Sequence, residues 1–366
     1  MTGFHIHAGW LALALAAALP AAAQDSILSS ADEPHDAARA WTWFGDATLR
    51  YEHTDGLPNN RDALHRTRAR LRLGGEYAAM PTLSFGAAIK LAQGSDDNRD
   101  NRINNDNERS DAYGLDQLYL RWQAGENTRV VVGKTPLPFE LSPLTWDRDL
   151  RPAGASVVHT IPTGDFDRFE IGAGWFKGQH LYDDDSRIGI VQAGWRWHEG
   201  APTGAGILLS YLDFSDLQQL TSQGLARTNR RVGADRLVSD YRLLDLQLIG
   251  RTTVWNLPLE ARLDLVRNLG ADDQSDGARV SVVLGDRRRA GGWEFGYAKQ
   301  RIQRDAVMAA FNEDDWWFHS FTHGFMPWVG YGLTENVSLR VAGFRELRNG
   351  LSEHTDRLLV DLESRW

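Results

Sequence analysis

The sequence predicts an all-β chain that closes into a transmembrane, antiparallel, up-and-down β-barrel of about sixteen strands. Three observations predict it. From residue 41 to the end, segments of roughly ten residues alternate apolar and polar side chains. The gaps between these segments alternate long and short. Tryptophans gather where strand ends would meet a membrane surface.

The chain has 366 residues, and its first stretch stands apart from the rest. Residues 10–19, WLALALAAAL, form an apolar core of signal-peptide length, and Ala21-Ala22-Ala23 follow as a small-x-small cleavage site. Residues 1–23 therefore read as a signal peptide, although the segment before the apolar core, MTGFHIH, carries no Lys or Arg. Ten apolar residues are too few to span a bilayer as a retained helix. Residues 24–40 read as a flexible, polar, periplasmic lead-in, and residues 41–366 as one barrel domain.

Composition narrows the classes. There are no cysteines, which excludes thiol chemistry and Cys-based metal sites. A net charge of −9 argues against a nucleic-acid partner, which would call for a basic patch or stripe. No apolar run beyond residue 23 approaches eighteen residues, so helical spans are excluded. A barrel is not, because one polar face per strand keeps mean hydropathy low.

The alternation predicts strands at 41–53, 66–77, 82–95, 114–123, 128–134, 153–160, 166–177, 187–198, 205–214, 241–254, 258–268, 279–286, 292–302, 318–332, 336–347 and 355–366. In 46–52, Ala47, Leu49 and Tyr51 oppose Asp46, Thr48, Arg50 and Glu52. In 66–73, Thr67, Ala69, Leu71 and Leu73 oppose four arginines. Leu83, Phe85, Ala87, Ile89 and Leu91 share one face, as do Leu259, Ala261, Leu263 and Leu265. Long gaps at 54–65, 96–113, 135–152, 215–240 and 303–317 suit external loops. Short gaps at 78–81, 124–127, 199–204, 255–257 and 333–335 suit periplasmic turns.

With the first strand pointing up, Trp41, Trp43, Trp122, Trp195, Trp197, Trp255, Trp293, Trp328 and Trp366 all fall at lower strand ends. Trp175, Trp316 and Trp317 fall near upper ends. An amphipathic ring suits the half-polar interface, whereas core filling would scatter tryptophans along the strands. The last segment, 355-TDRLLVDLESRW-366, puts Leu358, Val360, Leu362 and Trp366 on one face. A terminal aromatic on such a strand resembles the signal read by barrel-insertion machinery, with Trp in place of the usual Phe.

Several motifs occur in order: 66-RTRARLRLG-74, Gly94-Ser95-Asp96-Asp97-Asn98, 115-LDQLYLRW-122, 131-VVGKTPLPFEL-141 and 146-WDRDLRPAGASV-157. On these the chain resembles the bacterial putative-porin family of Gram-negative outer-membrane barrels. The motifs cover about a quarter of the chain, and the architecture covers all of it. The resemblance implies a barrel, an outer-membrane location and a pore for small hydrophilic solutes. It implies no cofactor and names no solute. Homotrimers are common among barrels of this size.

Arg66, Arg68, Arg70 and Arg72 form the sharpest cluster. A charged residue on the lipid face near mid-membrane costs roughly 2–4 kcal/mol, so this row must face the lumen. There it either pairs with carboxylates such as Asp116, Glu170, Glu260 and Asp264 or forms a wall that guides anions, extended by Lys90, Arg121 and Arg262. Segment 135–152 is unusually apolar and Pro-rich for an external loop. By analogy with general porins it folds inward as a constriction, and Glu140, Asp147 and Asp149 would then face the Arg row across the pore.

Other readings carry less. Asp96-x-Asn98-x-Asp100 opens like a calcium loop, but Asn101 and Asn107 replace the required Gly and Glu. Asp183-Asp184-Asp185 reads as a solvated loop tip. His319 and His323 on one strand would lie about 13 Å apart, too far for one zinc ion. No metal site follows. There is no G-x-S-x-G elbow, and His159 lies on the strand face opposite Ser156, so no catalytic set assembles. A barrel hydrolase, or a closed structural barrel, remains the alternative to a porin.

Overall fold

The computed structural model describes residues 41–59, 61–96, 112–178 and 184–366. The expected signal peptide at 1–23, the lead-in at 24–40, residues 97–111 of the loop weighed against a calcium motif, and Asp183 lie outside the described residues.

The chain runs through β1 (Trp41–Asp55), β2 (Leu64–Met80), β3 (Leu83–Asp96), β4 (Ala112–Gln123), β5 (Thr128–Lys134), β6 (Ala153–Pro162), β7 (Arg168–Lys177), β8 (Arg187–Trp197) and β9 (Gly204–Ser215). A short helix α1 (Gln218–Ser222) and a small hairpin of β10 (Arg231–Val232) and β11 (Arg236–Leu237) follow. The wall resumes with β12 (Tyr241–Val254), β13 (Leu257–Asn268), β14 (Asp276–Gly285), β15 (Trp293–Ile302), β16 (Thr322–Gly332), β17 (Val337–Arg348) and β18 (Thr355–Arg365). Neighbours pair antiparallel, β9 pairs with β12, and β1 pairs with β18 to close a sixteen-stranded barrel. Closure leaves no unpaired edge, which is what a sheet needs inside hydrocarbon.

Each strand expected from alternation is present. Period-two patterning did not reveal α1 or the hairpin, since neither follows it. The fourteenth wall strand starts at Thr322 rather than 318, which leaves His319 in the preceding loop. β4 carries a bulge: Ala88 pairs with Gln117 and Ile89 with Leu115, so Asp116 is the extra residue. The bulge lets Asp116 and Gln117 both bury on the inner face while Leu115 and Leu118 point outward.

The outer face is apolar and uncovered. Phe85, Ile89, Leu91, Val191, Val280 and Phe295 are each among the exposed large hydrophobics. A continuous belt of this kind on a protein surface marks contact with an apolar phase. Around its lower rim, Trp41 stacks on Trp43 with centroids 5.7 Å apart, Trp195 meets Trp197 at 4.0 Å, and Trp293 meets Tyr331 at 4.8 Å. Trp122 and Trp255 are likewise exposed.

Trp328 departs from this expectation. Its strand turns it to the inner face, where Nε1 donates to Glu294 at 2.9 Å and Arg340 lies over the ring at 5.6 Å. The sequence does not separate the two faces there, because Met326 and Trp328 on one side face Phe325 and Val329 on the other. Trp316 and Trp317 are not at the rim either. Trp316 is buried against Phe344, and the Trp317 amide donates to Glu346 at 2.7 Å. Asp184 is buried and accepts the Ser186 amide at 2.6 Å, so it is no solvated tip.

Candidate functional site

The inner face is polar because every second residue of a two-sided strand must point away from lipid. β2 directs Arg66, Arg68, Arg70 and Arg72 inward; Lys90 on the adjacent β3 and Arg121 on β4 share that inner face, while Arg262 and Asp264 face inward from β13, far round the barrel. Arg121 bonds Glu76 at 2.9 Å. Asp264 is fully buried, with Arg279 at 4.0 Å. Arg66 binds Glu52 at 2.8 Å, and Glu52 also takes Arg357 at 2.5 Å. Arg72 contacts Asp116 at 3.4 Å.

Three external loops fold into the barrel. We call them L3 (residues 135–152), L5 (216–240) and L7 (303–321). Their apolar side chains explain why. Phe139, Leu144 and Trp146 of L3 pack with Leu220 and Leu225 of L5 and with Val307, Met308 and Phe311 of L7. Inward-facing Phe176, Ile188, Leu212, Phe214 and Leu243 of the wall complete that core. Trp146 stacks on Phe311 at 5.8 Å with planes 3° apart, and Phe214 meets the same ring at 5.1 Å. Burying rings of this size away from water is worth roughly 1.5–3 kcal/mol each.

Polar contacts fix L3 in register with the wall. Glu140 receives Arg196 at 2.6 Å and Arg262 at 2.8 Å. Its carbonyl accepts from Gln192 Nε2 at 2.8 Å and Gln247 Nε2 at 2.7 Å. Asp245 accepts the Ser142 amide at 3.0 Å and Thr145 Oγ1 at 3.1 Å. Burial pushes the Glu140 carboxyl up, but Arg262 and Arg196 outweigh it and hold it at about 2.

The expected opposition across the pore is corrected in two respects. Glu140 does not face the Arg66–Arg72 row; it sits on Arg196 and Arg262. Asp149 does meet the row, but in direct contact rather than across a gap, pairing with Arg70 and, at 3.1 Å, with Arg72. Asp147 turns instead toward L7. The physical reason is that desolvated charges inside a packed loop need contact partners.

L7 was not expected to enter the barrel, although its apolar run 306-AVMAAF-311 was a usable signal. Asp315 of L7 binds Arg50 at 2.6 Å and Arg340 at 3.3 Å, and Arg50 also holds Asp361 at 2.6 Å. Asp305 is gripped by Arg230 at 2.6 Å and by Ser239 at 2.9 Å, which ties L7 to L5. L3 and L7 meet through the Asp147 amide on the Phe311 carbonyl at 2.7 Å and the Glu313 amide on the Pro143 carbonyl at 3.1 Å. Where they meet, oxygens of Asp147, Glu313 and Asp314 lie within 4.8 Å of one another. Burial and the neighbouring Asp315 and Asp314 push the Glu313 carboxyl up to about 8.

His159 faces outward and contacts Thr128 Oγ1 at 2.8 Å, while Ser156 is buried on the inner face. His319 is buried beside Asn312 and Arg227. The described residues thus bring no Ser–His pair together here.

A closed sixteen-stranded barrel with an apolar outside, a charged inside and inward-folded external loops defines the porin class. The chain belongs to the putative-porin family, which matches residues 32–229, more than half of its length. No curated protein matches it in sequence. Among solved structures it is similar to OprB of Pseudomonas putida in its high-pH form, with 12% identity, a TM-score of 0.61, and coverage of 89% of this chain and 94% of that one. It is also similar to OmpF of Salmonella typhi, with 14% identity, a TM-score of 0.54, and coverage of 89% and 97%. A triple mutant of the Rhodopseudomonas blastica porin gives 11% identity, a TM-score of 0.52, and coverage of 89% and 100%. These likenesses extend to the fold. Family and fold together are those of outer-membrane porins.

Proposed function

We propose that the chain is a passive outer-membrane porin for small hydrophilic solutes, narrowed by L3 and L7 and tilted toward anions by the arginines of β2. The observation that carries this reading is the docking of L3. An external loop bonded to the inner wall through Glu140 restricts a lumen without closing the sheet. The Arg row supports the anion preference, although Asp149, Asp46, Asp116 and Glu52 offset part of its charge. Rows of guanidiniums favour anion passage where they meet lumen water.

The test is conductance of the purified protein in a planar bilayer under a KCl gradient. A steady conductance with an anion-selective reversal potential supports the reading, and Arg70→Ala should move that potential toward cations. A cation-selective channel, or no shift in the variant, removes the anion preference. One observation favours a second reading, a plugged structural barrel: L3, L5 and L7 share a core of buried apolar side chains with the inner wall. No conductance from folded protein would decide for the plug.

A further inference from the structure

We propose that Asp147 of L3 and Glu313 and Asp314 of L7 form a binding site for a hard divalent cation, calcium above magnesium, that clamps the two inward-folded loops together. Three observations support it. First, each of the three residues offers a carboxylate oxygen, and these atoms all lie within 4.8 Å of one another. Oxygens bound to one calcium ion at about 2.4 Å are separated by at most about 4.8 Å, whereas magnesium at about 2.1 Å holds them closer. An all-oxygen set with no imidazole or thiolate selects a hard ion.

Second, Asp147 is 3% exposed, and its Oδ2 has no hydrogen-bond partner among the described residues. Its other oxygen is occupied by the Asp149 amide at 2.7 Å. A buried carboxylate oxygen left without a donor is costly, and a cation beside it removes that cost. Third, the site is held before any ion arrives. The amides of Asp147 and Glu313 are each fixed on the opposite loop, at 2.7 Å and 3.1 Å. Glu313 and Asp314 are half-buried, which leaves a route in from the lumen.

The surrounding charges do not replace a metal. Arg70 and Arg72 are engaged by Asp149, and Arg50 and Arg340 by Asp315. Arg148 and Arg68 contribute positive charge near Glu313 and Asp314. Neither forms a contact that satisfies Asp147 Oδ2. The sequence gives no hint of this site, because its ligands come from two loops far apart in the chain.

The experiment uses the full chain, stripped with EDTA in detergent and titrated with Tb³⁺, whose emission Trp146 can sensitise. Saturable emission displaced by Ca²⁺ at lower concentration than Mg²⁺ is the expected result. Glu313→Gln and Asp314→Asn should each weaken Ca²⁺ competition at least tenfold, while Glu353→Gln, at an exposed loop position, leaves it unchanged. Heat-modifiable gel mobility reports that each variant is folded, and Asp314→Asn, the half-buried isostere, decides if Glu313→Gln is not. No emission displaced by Ca²⁺, or equal affinity in the variants, overturns the site. The readout is binding, so it stands apart from whether the lumen conducts.

Discussion

Glu140 and Arg262 join L3 to β13 at 2.8 Å, and Arg196 of β8 closes on the same carboxylate from the other side at 2.6 Å. Both arginines are nearly enclosed, with side-chain exposures of 12% and 9%. Removing the shared anion would leave two guanidiniums facing each other. Breaking a buried pair by deleting one partner costs on the order of 3–5 kcal/mol. Glu140→Ala is therefore expected to release L3 while the hydrogen-bonded wall persists. Single-channel recording should show larger and noisier openings, with unchanged heat-modifiable mobility. Openings identical to wild type would show that L3 is held by its apolar core alone.

The same carboxylate sets an acid limit. Its ordinary value is 4.5, and docking lowers it to about 2 because Arg262 and Arg196 outweigh burial. A lowered carboxylate stabilises the docked state fully above the ordinary value, and that contribution is lost as pH falls through the lowered one. The Glu140 contribution should thus persist at pH 5 and disappear between about 4.5 and 2. Near-UV circular dichroism of the Trp146–Phe311 stack would follow it. In Glu140→Gln that limb of the titration should vanish; an unchanged acid limb would assign it to other carboxylates.

The wall was legible in the sequence because lipid imposes one rule on every strand. Leu83, Phe85, Ile89 and Leu91 announce their face without reference to any partner. Arg66 to Arg72 announce theirs by the cost of placing charge in hydrocarbon. What lies inside the barrel obeys no such rule. Whether Glu140 meets Arg70 or Arg262 depends on the path of a whole loop, and two arginines at matching spacing look alike in one dimension. Trp328 was assigned outward because its strand has apolar residues on both faces. The bulge at Asp116 leaves a mark at 115-LDQL-118, where two polar residues adjoin, but alternation alone predicts an unbroken strand there.

Trp43 and Trp328 give a direct test of which face meets lipid. Trp43 is 69% exposed on the outer rim, whereas Trp328 lies on the inner face with its Nε1 on Glu294. In vesicles containing brominated lipid, variants retaining one or the other indole as reporter should differ. Emission from Trp43 should be strongly quenched and that from Trp328 little affected. Equal quenching would place both in lipid and refute the inward assignment of Trp328.

Gly45 and Trp366 stand at one end of the β1–β18 seam that closes the barrel. Their backbones exchange two hydrogen bonds, Gly45 amide to Trp366 carbonyl at 3.0 Å and the reverse at 3.1 Å. A Cβ at position 45 would stand 2.6 Å from Trp366 Cζ2 and also 2.6 Å from the backbone carbonyl oxygen of Arg72 on β2. Both distances are well inside van der Waals contact, so any side chain at 45 must displace the ring and the β2 backbone. Overpacking of this kind costs typically 1–3 kcal/mol, and here it falls on the seam between the first and last strands. Gly45→Val should lower the temperature of the heat-induced mobility shift and slow assembly into lipid vesicles. Trp366→Ala in the same background removes the clash with the indole but leaves the one with the Arg72 carbonyl, so the double variant should recover only part of the loss caused by Gly45→Val. A Gly45→Val protein that assembles and resists heat like wild type would mean that both the indole and the β2 backbone give way freely. The terminal tryptophan would then act only through its backbone.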